Sequence, residues 1–314
     1  MSYFNYSKKR MREDYNVIRS LAELHLSSTS YKPVIALLRG RKFKEINNLN
    51  GLCEKRELKQ LVRALSSEGL GMLTMIPEDL RDVALLEAVD LSWNSVSKVP
   101  SWLARLALLR NISLKGNRLS DWPAAFGELN FLERIDLSGN RIGSIPDSAI
   151  SHMGQLEKLS LSYCGLQEFR SAFPNDCQLY YLDLSWNNIE YIDAELSQCS
   201  RLEYLELGNM KLTSFPKDIC ALSGLQYLSL SGSQVLRIPA DITQLTNLRF
   251  LDLSECELTS IPLDLLQLPE LEELHLGGNY FTEEYRERIT EEAPERLKLD
   301  FKSIYDAFGD DVWD

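Results

Sequence analysis

The segment "LYYLDLSWNNIEYI", residues 179–192, contains the pattern that decides the fold of this chain. Its leucines and its first asparagine follow the spacing L-x-x-L-x-L-x-x-N, and the L-x-L part has the two-residue period of a β-strand. In a strand with one solvated face, the positions between the leucines are usually polar. Here Tyr181 occupies one of them and Trp186 lies just beyond, so the segment predicts a strand whose solvent side carries aromatic rings.

The same pattern recurs along most of the chain. Consecutive copies are 23 residues apart, except for one extra residue before the fourth copy. The nine clear copies begin at Leu86, Leu109, Leu132, Leu156, Leu179, Leu202, Leu225, Leu248 and Leu271. Prolines that follow an apolar or aromatic residue keep the same phase at Pro77, Pro100, Pro123, Pro146, Pro216, Pro239 and Pro262, and Pro77 indicates a tenth, degenerate unit. A period sustained over so many copies predicts a repeat architecture.

The spacing also predicts what each repeat contributes to the structure. The leucines of the strand point inward, and the asparagine amide satisfies backbone groups that the following turn leaves open. Cys164 and Cys256 take the asparagine position and are interpreted as small buried substitutes. The proline then opens an irregular or short helical outer segment. Because no repeat buries its leucines alone, neighbouring repeats stack into a curved solenoid with a parallel sheet on its concave side.

These residues resemble the leucine-rich repeat family over roughly residues 63–292. The 23-residue I-P-x-x-L variety is similar to intracellular members, including Ras-pathway scaffolds and bacterial effectors. The resemblance implies an α/β fold, a leucine-rich repeat solenoid (horseshoe) with a concave parallel β-sheet, and a non-enzymatic protein-binding role. Met210 and Ser233 depart from the asparagine position, so the turns there are expected to be less regular.

The two ends of the chain differ in charge. Residues 1–60 hold 13 Lys and Arg against 6 Asp and Glu, a net charge of +7 within a chain of −12. Residues 1–62 are predicted to form a basic helical N-terminal region or cap, and plain solvated surface is the simplest role for its charge. Residues 293–314 are predicted to form an acidic C-terminal cap, in which "RLKLDF" gives a final strand and Phe301, Ile304, Tyr305 and Phe308 cover the last repeat.

The predicted concave face carries a row of aromatic residues beside a row of acids. One position of successive strands holds Tyr181, Tyr204, Tyr227 and Phe250, and the next outward position holds Asp183, Glu206 and Asp252. Trp93, Tyr163 and Trp186 join from the strand ends. Stacked aromatic residues on neighbouring strands also stabilise a sheet by themselves. Because the inward positions are already leucine, we interpret the rings as an exposed patch that contacts a partner.

The expected partner is another protein with a basic, partly apolar surface, because carboxylates beside aromatic rings attract cations and repel nucleic-acid phosphate. An enzyme of the ubiquitin-ligase effector type is the main alternative, but about 60 residues before the repeats and about 22 after them leave little room for a catalytic domain. Attachment of the basic N-terminal region to a membrane or nucleic acid is the other alternative.

Composition favours a cytoplasmic protein without a cofactor. No apolar run approaches the ~20 residues of a membrane span, and no classical signal peptide is visible at the N-terminus. The six cysteines form no Cys-x-x-Cys pair and are read as reduced thiols, and the three histidines show no metal-binding spacing. The expected location is the cytoplasm, with secretion into a host cell as an alternative, and a monomer is expected.

Overall fold

A computed structural model describes residues 64–66, 74–76, 81, 86–170, 172–192 and 195–303, with the backbone alone at 64–66. The predicted helical region 1–62 lies outside the described residues, as do Pro77 and the cap residues Ile304, Tyr305 and Phe308. The chain divides into two compact units, Met1–Asn140 and Arg141–Asp314, which are described separately below.

The first unit contains four short strands that pair in parallel. They are β1 (Ala64–Ser66), β2 (Ala88–Asp90), β3 (Asn111–Ser113) and β4 (Arg134–Asp136), each paired with the next along the chain. Between them lie the 3₁₀ helices Ser101–Arg105 and Ala124–Glu128. Each of these helices follows a proline of the repeat pattern, because the fixed φ of proline suits the residue before a helical turn.

The second unit continues the same architecture through seven parallel strands. They are β5 (Lys158–Ser160), β6 (Tyr181–Asp183), β7 (Tyr204–Glu206), β8 (Tyr227–Ser229), β9 (Phe250–Asp252), β10 (Glu273–His275) and β11 (Lys298–Asp300). From β5 to β10 every strand residue pairs with the residue 23 positions later. The sequence period is therefore the register of the sheet. The predicted final strand in "RLKLDF" is present as β11.

Short helices lie between consecutive strands of the second unit. Four of them are the 3₁₀ helices Leu196–Gln198, Lys217–Ala221, Ala240–Gln244 and Leu263–Gln267. A single turn of 3₁₀ helix fits the few residues that each repeat leaves for its return path. Within the described residues, no helix has the length and apolar character needed to cross a membrane.

One α-helix, α1 (Glu283–Glu292), was not predicted from the repeat pattern. The Thr282 hydroxyl accepts a hydrogen bond from the Tyr285 backbone N–H at 3.2 Å and caps the helix N-terminus. Glu283 and Glu284 in its first turn complement the helix dipole. The Tyr285 hydroxyl donates to the Ile261 carbonyl at 2.8 Å, which joins the helix to the last full repeat.

The core is the stack of inward leucines. The central residues of β6 to β10, which are Leu182, Leu205, Leu228, Leu251 and Leu274, have no exposed surface. At about 25 cal/mol per Å² of apolar surface, this continuous column is the main stabilising contribution of the repeats.

The asparagines form a second, polar ladder inside the turns. Asn187 donates from Nδ2 to the Leu161 carbonyl at 2.9 Å and to the Leu184 carbonyl at 2.7 Å. Its Oδ1 accepts from the backbone N–H groups of Cys164 and Leu166 at 3.0 and 2.9 Å. One buried amide thus satisfies four backbone groups of two consecutive repeats, as the sequence predicted.

The residues that replace asparagine in this ladder are also buried. Cys164 and Cys256 have no exposed surface, and the Cys256 thiol donates to the Leu230 carbonyl at 3.1 Å. The Ser233 hydroxyl reaches the Leu207 carbonyl at 3.4 Å. Met210 has no polar hydrogen of its own to donate, so its turn lacks the amide that the other repeats provide.

Candidate functional site

Four aromatic rings of the second unit form a continuous stack, here called the aromatic ladder: Tyr181, Tyr204, Tyr227 and Phe250. Their ring centroids are 4.5, 4.0 and 4.6 Å apart in chain order, and the ring planes lie within 9° of each other. The rings occupy the first position of β6, β7, β8 and β9, and these positions pair directly in the register of the sheet. The predicted grouping of these four side chains is therefore present.

The aromatic ladder is less exposed than the sequence predicted. Tyr181, Tyr227 and Phe250 expose 9%, 5% and 4% of their surface, and Tyr204 is half-buried. The prediction of an exposed aromatic patch was wrong for these rings. Strands about 4.8 Å apart place flat side chains at stacking distance, so each ring face is covered by its neighbour. The ladder is consequently part of the sheet's stability as well as of its surface.

A lysine and a histidine flank the two ends of the aromatic ladder. At the β5 end, the Lys158 Nζ lies 4.1 Å from the centroid of the Tyr181 ring, a cation–π contact. At the β10 end, the His275 ring lies 5.0 Å from Phe250, and His275 Nε2 is 3.5 Å from the Glu273 carboxylate. The Lys158 contact shows that a ring face of this ladder accepts a cation.

The row of acids beside the ladder has a structural role that the sequence analysis did not anticipate. Asp183 Oδ1 accepts hydrogen bonds from the Ser185 backbone N–H at 3.0 Å and from its hydroxyl at 2.6 Å. Asp252 binds Ser254 in the same way, at 2.9 and 2.6 Å. The repeated D-x-S motif therefore closes the turn after the strand, and it holds the half-buried carboxylates of Asp183 and Asp252 in place.

Glu206 connects the acidic row to the aromatic ladder. Its Oε2 accepts from the Tyr227 hydroxyl at 2.9 Å and lies 3.5 Å from the Tyr204 hydroxyl, while its Oε1 accepts from the Gly208 backbone N–H at 3.1 Å. Burial raises the pKa of Glu206 to about 7, and the Asp183 carboxylate adds to the shift. Burial also raises the pKa of Asp183 itself. A positive charge placed beside these carboxyl groups would stabilise their ionised forms.

The raised pKa of Glu206 predicts a specific pH dependence of stability. A carboxyl group whose pKa is higher in the folded than in the unfolded state stabilises the fold below the unfolded value, and this stabilisation is lost as pH rises toward the folded value. For Glu206 the window runs from 4.5 to about 7. We expect Glu206→Gln to gain stability relative to wild type across this window, by at most about 3 kcal/mol. Urea unfolding of both proteins at pH 4.5 and 8 measures this gain, and a difference that is the same at both values contradicts it.

Three exposed aromatic side chains lie at one turn position with left-handed backbone. Trp93, Tyr163 and Trp186 have φ of 57°, 56° and 57°, and they expose 54%, 66% and 57% of their surface. Left-handed backbone costs residues other than glycine about 1–2 kcal/mol, because Cβ crowds the carbonyl oxygen. The same position of other repeats holds glycine with positive φ, at Gly116, Gly139, Gly232 and Gly278. The three aromatic residues thus occupy a position at which glycine is the unstrained choice.

Their surroundings differ between the two units. In the first unit the Trp93 ring lies against Gly116, where an added Cβ would meet the ring at 2.5 Å, and the Lys115 Nζ is 6.0 Å from the ring centroid. In the second unit Tyr163 and Trp186 lie on consecutive repeats, with ring centroids 6.2 Å apart and planes at 46°. The sequence predicted all three residues as contact residues at the strand ends, but their strained backbone was not predicted. The signal was present, since glycine recurs at this position in other repeats.

Within the described part of the chain, no group of three or more His, Cys, Asp or Glu side chains is placed to hold a metal ion. The described cysteines are buried and form no disulfide, and the Cys177 thiol lies 3.0 Å from the Cys199 sulfur. Burial raises the pKa of the Cys256 thiol to about 12 and that of Cys220 to about 11, so neither is an activated nucleophile at neutral pH. The described surface of the second unit presents carboxylates beside exposed aromatic rings.

Three family models match the chain, and all describe leucine-rich repeats. The model "Leucine rich repeat" matches residues 177–235, "Leucine Rich repeats (2 copies)" matches residues 246–284, and a further "Leucine Rich Repeat" matches residues 131–153. A search of curated proteins finds no match.

Solved structures show the same fold at low sequence identity. An internalin (inlF) from Listeria monocytogenes aligns over 82% of this chain and 88% of its own, with TM-score 0.59 and 19% identity. The functional domain of InlJ from Listeria monocytogenes aligns over 79% of this chain and 54% of its own, with TM-score 0.60 and 19% identity. The plant peptide hormone receptor RGFR1, solved in complex with RGF2, aligns over 79% of this chain and 41% of its own, with TM-score 0.62 and 24% identity. This chain therefore spans less than two thirds of the InlJ and RGFR1 chains.

The repeat spacing, the parallel strands and these matches define one class of protein: the chain is a leucine-rich repeat protein with the α/β solenoid fold of that family. The leucine-rich repeat fold generally mediates protein–protein interaction, and its members are typically binding scaffolds without enzymatic activity. The predicted family and fold class are confirmed.

Proposed function

We propose that this protein is a non-enzymatic scaffold that binds a basic, partly apolar surface of another protein on the solvent side of its parallel sheet. The observation that carries the proposal is the in-register row of Asp183, Glu206 and Asp252 at the strand ends from which the exposed Tyr163 and Trp186 extend. Aromatic rings and arginine partners dominate protein interfaces, and carboxylates next to rings select cations.

The negative charge of the second unit supports a positively charged partner. Residues 141–303 contain 26 acidic and 13 basic side chains, a net charge of −13. A surface of one sign speeds encounter with partners of the opposite sign and repels nucleic-acid phosphate. The apolar part of the interface comes from Tyr163 and Trp186, which are more than half exposed, and from the half-buried Tyr204.

We place the protein in the cytoplasm, either of its own cell or of a host that receives it. The support for this location is that the described cysteines form no disulfide, as expected of thiols in a reducing compartment.

Selection of random 12-residue peptides on the immobilised full-length protein tests the proposed function. We expect enrichment of Arg and Lys next to aromatic or aliphatic residues, with affinities that fall as salt concentration rises. The double variant Asp183→Asn/Asp252→Asn keeps the Oδ1 acceptor of each turn but removes two charges, and we expect about tenfold weaker binding.

The matched control is the double variant Asp218→Asn/Asp241→Asn, because both aspartates are exposed on 3₁₀ helices, Lys217–Ala221 and Ala240–Gln244. It makes the same chemical change and is expected to leave affinity unchanged. Selected peptides without basic residues would contradict the proposal, and so would equal weakening by the control.

A further inference from the structure

Resting on the proposed function, we propose that Tyr163 and Trp186 form the anchor site for an arginine side chain of the protein partner. The two rings lie at the carboxyl ends of β5 and β6, on consecutive repeats of one unit. Their centroids are 6.2 Å apart with planes at 46°, and both side chains are more than half exposed. Two tilted rings at this separation present an open, accessible pair of faces.

The left-handed backbone of Tyr163 and Trp186 indicates that these rings do not serve mainly to pack the fold. Both residues adopt left-handed φ, as do Asn209 and Glu255 at the same position of later repeats, whereas Gly232 and Gly278 take this position without Cβ strain. Because both rings are more than half exposed, burial returns little stabilisation for that strain. Strained backbone at an exposed aromatic pair is the arrangement expected of a binding site.

The carboxylate beside the rings selects a cation. Ser162 and Ser185, which immediately precede the two aromatic residues, both hydrogen bond the Asp183 carboxylate. Asp183 therefore lies next to the backbone that carries each ring. Its Oδ1 is used by Ser185, while the Ser160 hydroxyl approaches Oδ2 only at 3.3 Å. A cation on the rings would lie at the same edge of the sheet as this carboxylate.

Arginine fits this site better than lysine for geometric reasons. Its guanidinium is planar and weakly hydrated, so it stacks on an aromatic face while its N–H groups donate to a carboxylate in the same plane. The net charge of −13 on residues 141–303 favours such a partner at longer range. A lysine ammonium offers a point charge that keeps more of its hydration.

The probe is the peptide acetyl-Ser-Gly-Arg-Gly-Ser-amide, compared with its citrulline counterpart, which has nearly the same shape without the charge. The chain has five tryptophans, so the indole N–H resonances of the full-length protein form a small set, and Trp186→Gly assigns that of Trp186. We expect the arginine peptide to shift the Trp186 resonance in a saturable way, with citrulline at least about tenfold weaker. Tyr163→Gly is expected to remove the shift.

Trp93 is the matched control, because it has the same repeat position, a φ of 57° and 54% exposure, but lies against Gly116 and Lys115 rather than beside a second exposed ring. Its resonance is expected to stay in place. Equal shifts with citrulline, an equal shift at Trp93 or the lack of any shift at Trp186 would each overturn the proposal.

The glycine variants keep the experiment separate from folding and from the proposed function. Glycine adopts positive φ readily, so Tyr163→Gly and Trp186→Gly are expected to unfold at or above the wild-type urea concentration. If basic peptides from the random selection bind both variants with unchanged affinity, the arginine anchor is wrong while the basic-partner function stands. If the selection yields no basic binder at all, the proposed function itself fails.

Discussion

The Asn187→Ala variant is expected to lose about 3–5 kcal/mol of its free energy of unfolding, the largest effect of any single change discussed for this protein. The Asn187 side chain is 4% exposed and satisfies four backbone groups, on Leu161, Leu184, Cys164 and Leu166. Alanine leaves these groups buried without a partner, and each costs about 1–3 kcal/mol unless the turn relaxes or admits water.

Urea unfolding followed by circular dichroism measures this loss, and the neighbouring residue provides the control. Asn188 is exposed, so Asn188→Ala makes the same chemical change one residue away and is expected to shift stability by less than about 0.5 kcal/mol. Asn187→Ser is expected to lie between the two, since Ser233 occupies the equivalent position and still reaches the Leu207 carbonyl. Equal stability of the two alanine variants would show that the polar ladder does not hold the turns.

The Tyr227→Ala variant is expected to lose about 3–4 kcal/mol through a different mechanism. Its ring is stacked between Tyr204 at 4.0 Å and Phe250 at 4.6 Å, and it exposes only 5% of its surface. Removing it opens a gap in the ladder and withdraws the hydroxyl that donates to Glu206 at 2.9 Å.

Tyr227→Phe separates these two contributions, because it keeps the stack and removes only the hydrogen bond. We expect it to cost about 1 kcal/mol. A Tyr227→Ala variant as stable as wild type would mean that the rings do not support the sheet. An alanine in the ladder would weaken the binding of a partner by disturbing the fold. The exposed residues Tyr163 and Trp186 are therefore better sites for testing direct contact.

The repeat period accounts for how much of this fold the sequence predicts. A fixed spacing of 23 residues sets the register from β5 to β10, so the inward leucines and the grouping of the ladder residues follow directly. The asparagine ladder follows as well, because a buried turn must satisfy its backbone groups. Helix α1 was missed since it lies after the last copy of the pattern, although Thr282 followed by two glutamates is a recognisable helix start.

The site was less predictable than the fold, because exposure depends on how neighbouring side chains cover one another. Sequence places Tyr227 on the solvent side of the sheet, but only the ring distances show that its faces are covered. The bond between Glu206 and Tyr227 joins residues 21 positions apart and depends on side-chain rotamers that the pattern does not specify. The recurring glycines, by contrast, already indicated the left-handed turn that Trp186 occupies.

These observations divide the surface of the second unit into two parts. The aromatic ladder and the D-x-S turns stabilise the sheet and hold a row of carboxylates in fixed positions. Tyr163 and Trp186 extend from the strand ends, where they remain accessible. Under the proposed function, carboxylates held in fixed positions beside exposed rings would be preorganised for a cationic partner, which would lose little freedom on binding.

Hydrogen–deuterium exchange of the full-length protein, with and without a selected basic peptide, tests the central claim most directly. If the partner binds the solvent side of the sheet, exchange slows in the segments 158–163, 181–186 and 204–209, which contain the strands and turns of three consecutive repeats. Slowing confined to the 3₁₀ helices Lys217–Ala221 and Ala240–Gln244 would place the partner on the other side of the repeats and contradict the account.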